Sequence, residues 1–145
     1  MGNILVENEE FKIVKMEHGE SGFWDALGPF FASRDVRKEL GIAMSSDENY
    51  VWFVALSGDN KVAGFAALEC KGSRADCHHL YIVPEFRNRL LFPALFKTRE
   101  KYAWGKGIRR IIVVSNPATS HWMPNLGYTE KSKRGKYTRW EKCSD

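Results

Sequence analysis

The chain has 145 residues, 43% of them apolar, and 22 Lys and Arg against 18 Asp and Glu give a formal net charge of +4. That length suits one domain, 1–145, with a core of its own; no apolar run approaches the roughly 20 residues that span a bilayer, and the acidic opening MGNILVENEEFK is expected to be neither secretory signal nor membrane anchor. Cys70, Cys77 and Cys143 lack metal-ligand spacing and are odd in number, so the expectation is a cytoplasmic protein with no disulfide framework and no metal.

Phe11-Lys12-Ile13-Val14-Lys15-Met16 alternates as a strand. Ser21 is placed to cap a helix from Gly22 towards Phe31 that Pro29 should end or bend. Ser33 is placed to cap a second helix through Leu40, closed by Gly41. The aromatic and β-branched run of 49–57, the Gly58-Asp59-Asn60 turn and the run from Val62 to Cys70 predict a hairpin, and Arg74 to Val83 a third antiparallel strand. Beyond Val83 the period lengthens: Leu91, Ala94, Leu95, Thr98 and Tyr102 recur at helical spacing, Pro93 belongs in the first turn, and Gly105 and Gly107 end the pattern. Arg109 to Val114 then reads as a strand joined by a right-handed crossover to a parallel neighbour. Tyr128 to Lys142 reads as two strands around Lys133-Arg134-Gly135.

The junction behind Val83 carries the most information. Pro84 follows the strand, Arg87 comes three residues later, and a helix opens behind it. Backbone N–H groups at a helix start have no partner within the helix, and the peptide dipoles add roughly half a positive charge, so a phosphate is held there readily. This frame resembles the signature of the GCN5-related N-acetyltransferase (GNAT) superfamily, a strand, then Pro-x-x-Arg-x-x-Gly-x-Gly/Ala, then a helix. Lys61 to Leu68 resembles the preceding family strand, Ile111 to Asn116 the strand after the cofactor helix, and Trp122 to Tyr128, WMPNLGY, the Phe-Tyr-x-x-Leu-Gly-Phe segment. Leu90 and Phe92 stand at the two glycine positions, and Met123 where the family often has an acid tyrosine.

The resemblance implies an α/β (α+β) fold with a mixed, mostly antiparallel central sheet splayed between its fourth and fifth family strands, and about four helices on its faces. It also implies acetyl-CoA as co-substrate. The pyrophosphate is expected over Arg87, Asn88, Arg89, Leu90, Leu91 and Phe92, with main-chain N–H groups at Ile82 and Val83 polarising the thioester carbonyl and Asn116 meeting the pantetheine or acyl end.

Acetyl transfer to an amine needs the amine deprotonated, the thioester carbonyl polarised and the departing thiolate protonated. The family's frequent carboxylate, eleven residues before the motif arginine, corresponds to Asp76. Strand parity puts Asp76 and His78 on one face and His79 on the other, provided no bulge intervenes. Asp76 and His78 are therefore the candidate bases, with Glu69 a further one. His121 is the candidate acid in place of Met123, with Ser120 and Tyr128 nearby.

The leading reading is an N-acetyltransferase passing the acetyl group from acetyl-CoA directly to an amine acceptor. A second reading keeps the fold as a catalytically inactive binding or structural protein. A third makes the acceptor a nucleic-acid-bound amine, motivated by the basic run from Lys131 to Lys142. Oligomeric state stays open, a homodimer included.

Overall fold

The computed structural model describes residues 3–87 and 90–144. The strands are β1 (Asn3–Glu7), β2 (Phe11–Glu17), β3 (Tyr50–Ser57), β4 (Val62–Lys71), β5 (Arg74–Ile82), β6 (Arg110–Ser115), β7 (Thr129–Arg134) and β8 (Tyr137–Cys143). They form one sheet in the order β1-β2-β3-β4-β5-β6-β8-β7, in which only the β5–β6 pair is parallel. The helices are α1 (Phe23–Ala32), α2 (Arg34–Leu40), α3 (Leu91–Gly105) and the single turn α4 (Pro117–Ser120). Among the described residues no helix is long and apolar enough to cross a membrane.

Alternation along the strands sorts side chains into two cores. Tyr50, Trp52, Val54, Phe65 and Ala67 pack with Phe23 and Leu27 of α1 and Val36 of α2. Val51, Phe53, Ala55, Leu68 and Ala75 pack on the opposite face with Leu91, Leu95 and Phe96 of α3. β3 is covered on both faces, which explains why its sequence, YVWFVALS, runs apolar without alternation.

Most expected elements form, with three differences. β1 is an additional edge strand, with Ile4 and Leu5 exposed and therefore no inward-facing apolar pattern to announce it. α1 continues through Pro29 to Ala32, because Phe30 and Phe31 dock on Phe65 and Trp52 and hold the turn beyond the proline. Ser21 is not its cap; Gly22 occupies that position in the left-handed region, at φ 88°. Ser33 does cap α2, its Oγ accepting from Val36 N–H at 3.2 Å, and Gly41 ends the helix at φ 79°.

Two irregularities in β5 create the site. Its parallel pairing with β6 runs only from Arg74↔Arg110 to Asp76↔Ile112. Beyond that point the two strands part. Against β4, the pairs Phe65↔Tyr81 and Ala67↔His78 enclose one extra residue on β5, a β-bulge in which His79 takes φ 51°.

Candidate active site

The parting of β5 and β6 opens a cleft of about 820 Å³ that reaches both faces of the sheet. Cys77 to Leu80 line it from β5 and Val113 to Ser115 from β6. On the α3 side its walls are Phe92, Phe96, Arg99 and Met123; on the α2 side they include Leu40, Ile42 and Tyr137. Tyr137 closes the mouth against the end of α2, since a Cβ on Gly41 would lie 2.9 Å from the tyrosine hydroxyl. Nothing in the local sequence announces that contact, which joins segments far apart in the chain.

The bulge overturns the expected parity. Because one residue is inserted, His79 does not turn to the opposite face: both rings stack on Tyr50, with centroids 5.5 Å away for His78 and 6.3 Å for His79, and His79 also lies flat on Trp52. His79 Nε2 accepts from the Ser45 N–H at 3.3 Å, and burial followed by the neighbouring His78 pushes its pKa down to about 4.

Asp76, His78 and Glu69 do come together, each offering a ligand atom within 4.8 Å of the others. His78 Nε2 lies 2.9 Å from Glu69 Oε1. Asp76 is differently placed: Lys71 Nζ is 2.9 Å from Oδ2, and Arg74 makes an ion pair at 3.1 Å with Oδ1. Burial alone would raise the Asp76 pKa, but Lys71 and Arg74 outweigh it and hold the carboxyl below its usual range. A carboxylate stabilised in this way is a poor proton acceptor.

Of the two amides expected to meet the thioester, Val83 N–H is committed to Ala63 C=O at 2.9 Å. That bond makes Ile82↔Gly64 a non-hydrogen-bonded pair, so the Ile82 N–H and C=O turn away from β4 towards the parted side. The carbonyl accepts from Arg87 Nε at 2.8 Å, and the guanidinium also pairs with Glu39 of α2 and covers the Tyr81 ring. Asn88 and Arg89 lie outside the described residues. Leu90 is exposed at the start of α3, Leu91 is buried beneath the helix, and Phe92 packs on Phe96 and Trp122 at the cleft wall. In this first turn Pro93 has no N–H, leaving Leu91 and Phe92 to present theirs.

Asn116 lines the cleft and caps α4, its Oδ1 accepting from Thr119 N–H at 3.1 Å while its amide nitrogen has no partner among the described residues. Beneath it, Ser115 Oγ sits 2.7 Å from Ser120 Oγ and accepts from Trp140 Nε1. His121 departs from expectation: it is exposed at the end of α4, beside Trp122 and off the cleft, because the turn that buries Met123 directs residue 121 outward. Tyr128 is engaged elsewhere. Its hydroxyl donates to Glu100 at 3.0 Å, and burial drives its pKa far up.

The site also contains a group that the sequence reading passed over. Arg99 is only 2% exposed on the sheet-facing side of α3, with Nη1 donating to Ala67 C=O at 3.2 Å and His78 C=O at 3.4 Å. The signal was present: Phe92, Phe96 and Ala103 place position 99 on the inward stripe of the helix, where a charge is unusual.

A profile of the Acetyltransferase (GNAT) family matches residues 16–128. The chain belongs to the GNAT acetyltransferase family. Among solved structures, the GNAT domain of PAT from S. lividans superposes with a TM-score of 0.71 at 15% identity, covering 92% of this chain and 90% of that one. An acetyltransferase of the GNAT family from Staphylococcus aureus Mu50 gives 0.68 at 13% identity, covering 90% and 98%. The PaiA N-acetyltransferase of Thermoplasma acidophilum, solved in complex with coenzyme A, gives 0.61 at 18% identity, covering 88% and 81%. Curated protein sequences contain no match to the chain. The mixed, mostly antiparallel sheet with four helices is thus the GNAT fold, and the cleft lies where β5 and β6 of this GNAT protein part.

Proposed function

We propose that this GNAT protein, acting as one cytoplasmic domain over residues 1–145, transfers an acetyl group from acetyl-CoA directly to an amine. The observation that supports this best is the cleft itself. It runs from Phe92, in the first turn of α3 on one face of the sheet, to His78, which pairs with Glu69, on the other. In this reading the pyrophosphate lies over the start of α3, where the Leu91 and Phe92 amides and Arg87 meet it. The pantetheine runs between β5 and β6 past Asn116, and the thioester carbonyl accepts from Ile82 N–H. His78 takes the amine proton: its Nε2–H donates to Glu69, which leaves Nδ1 as the basic nitrogen. Asp76 serves to balance Lys71 and Arg74.

The testing experiment incubates the purified protein with acetyl-CoA and a panel of amines, following thiol release and identifying the acetylated amine by mass spectrometry. Acetylated product from at least one amine, abolished by His78→Ala, is the expected result. Tight CoA binding without product from any amine would instead favour a non-catalytic binding protein.

A further inference from the structure

Arg99 poses a physical problem that the preceding roles leave unsolved. A guanidinium cannot shed its charge, and burying one without an anion carries a large penalty. Arg99 is 2% exposed, and it has no carboxylate partner among the described residues. Its Nη1 is satisfied by two carbonyls at the bulge, while Nε is enclosed without an acceptor and Nη2 makes no hydrogen bond among the described residues. The adjacent Glu100 is already committed to Lys142, at 3.1 Å, and to the Tyr128 hydroxyl. The other titratable groups around Arg99 are Cys77 and Asp76 of β5, which are neutral or anionic, and the His78 imidazole, which lies on the other face of the sheet against Tyr50.

The position is as informative as the charge. Arg99 lines the cleft beside Cys77, Phe96 and Met123, directly behind the His78 carbonyl. In the acyl-transfer reading the pantetheine enters from the α3 face, which puts the thioester sulfur on the Arg99 side and the acetyl carbonyl towards His78. Met123 has no proton to give, Ser120 donates to Asn116 C=O and Tyr128 to Glu100; the Cys77 thiol remains beside Arg99, but burial raises its pKa and makes it a weak acid.

We propose that Arg99 is a catalytic residue that binds the sulfur of the acyl donor and stabilises it as the departing thiolate. This rests on the acyl-transfer reading above. As the amine nitrogen bonds to the carbonyl carbon and passes its proton to His78, the carbon–sulfur bond breaks and its electron pair goes to sulfur. The thiolate then leaves as an ion held by the guanidinium and takes a proton from water on release. A fixed cation in a mostly apolar cavity is worth more than one in water and needs no reorganisation.

The experiment reads the thiol directly. Coenzyme A bound to the protein is titrated by thiolate absorbance in the ultraviolet, with desulfo-CoA complexes as blanks to cancel the protein's own cysteines. Wild type should ionise the bound thiol about one pH unit or more below free CoA. Arg99→Met, which fills the space without charge, should abolish that shift, and Arg99→Lys should retain part of it. A bound thiol that ionises like free CoA in wild type, or a shift that survives Arg99→Met, overturns the proposal. If wild type binds no CoA at all, the acyl-transfer reading itself fails and this proposal falls with it; CoA binding without a thiol shift defeats only the Arg99 assignment.

Discussion

His78 Nε2 and Glu69 Oε1 lie 2.9 Å apart across the β4–β5 ladder, immediately before the bulge. The carboxylate fixes which ring nitrogen carries the proton, and in the proposed reaction the other nitrogen takes the amine proton. His78→Ala should therefore lower thiol release by ~10²- to 10⁴-fold with acetyl-CoA binding intact. Glu69→Gln, which keeps a weaker hydrogen bond, should cost less. Equal losses in both variants would mean that Glu69, not His78, takes the proton.

Asp76 should matter to folding more than to rate. Its carboxyl is held below the usual range by Lys71 and Arg74, so the stabilisation is present above the unfolded carboxyl pKa of about 3.9 and is lost as pH falls through the lower folded value. Thermal melts should show wild type more stable than Asp76→Asn at pH 6, with the gap closing below about pH 4. At neutral pH the variant should keep turnover within a few-fold of wild type. A loss as large as that of His78→Ala would restore Asp76 as the base.

The β4–β5 hairpin, the cofactor helix, the crossover and the capped α2 were legible because each depends on local pattern: Ser33 and Gly41 at fixed offsets, Pro93 in a first turn, a period that changes after Val83. The site was legible only in part. Strand parity fails at His79 because a bulge depends on how β5 accommodates β4, which no single strand encodes. Arg99 stands on the inward stripe of α3 and was readable there as an unusual charge, whereas the Gly41–Tyr137 contact is a product of tertiary packing and the outward turn of His121 follows from burying Met123.

His79 should titrate far from an ordinary histidine. With its folded pKa near 4 and its unfolded pKa near 6.5, the unfolded chain binds more protons between those values. Stability should therefore rise with pH across that window and level off above it. His79→Gln, whose amide oxygen can still accept from Ser45 N–H, should remove that slope while keeping the fold. Unfolding midpoints measured from pH 4 to 7 in both proteins would decide this; parallel curves would mean that His79 is not buried as a neutral ring.

Arg87 pairs with Glu39 and reaches back to Ile82 C=O, so it stands at the junction of β5 and α3. Arg87→Ala should weaken CoA binding by roughly 10- to 100-fold, the worth of one charge-assisted contact to phosphate. Glu39→Gln, by releasing Arg87 from its carboxylate partner, should tighten it. Binding assays on dephospho-CoA alongside CoA would place the lost contact: equal losses for both ligands point to the pyrophosphate, and an effect confined to CoA would move Arg87 to the ribose phosphate.

If the cleft between β5 and β6 takes an acyl-CoA, isothermal titration of the purified protein with acetyl-CoA should detect it. Saturable binding of one acetyl-CoA per chain is expected, with a dissociation constant in the range of about 1 µM to 1 mM. Binding should weaken when Arg87 is replaced by alanine. No detectable heat at millimolar acetyl-CoA, or saturable binding unaffected by Arg87→Ala, would contradict it.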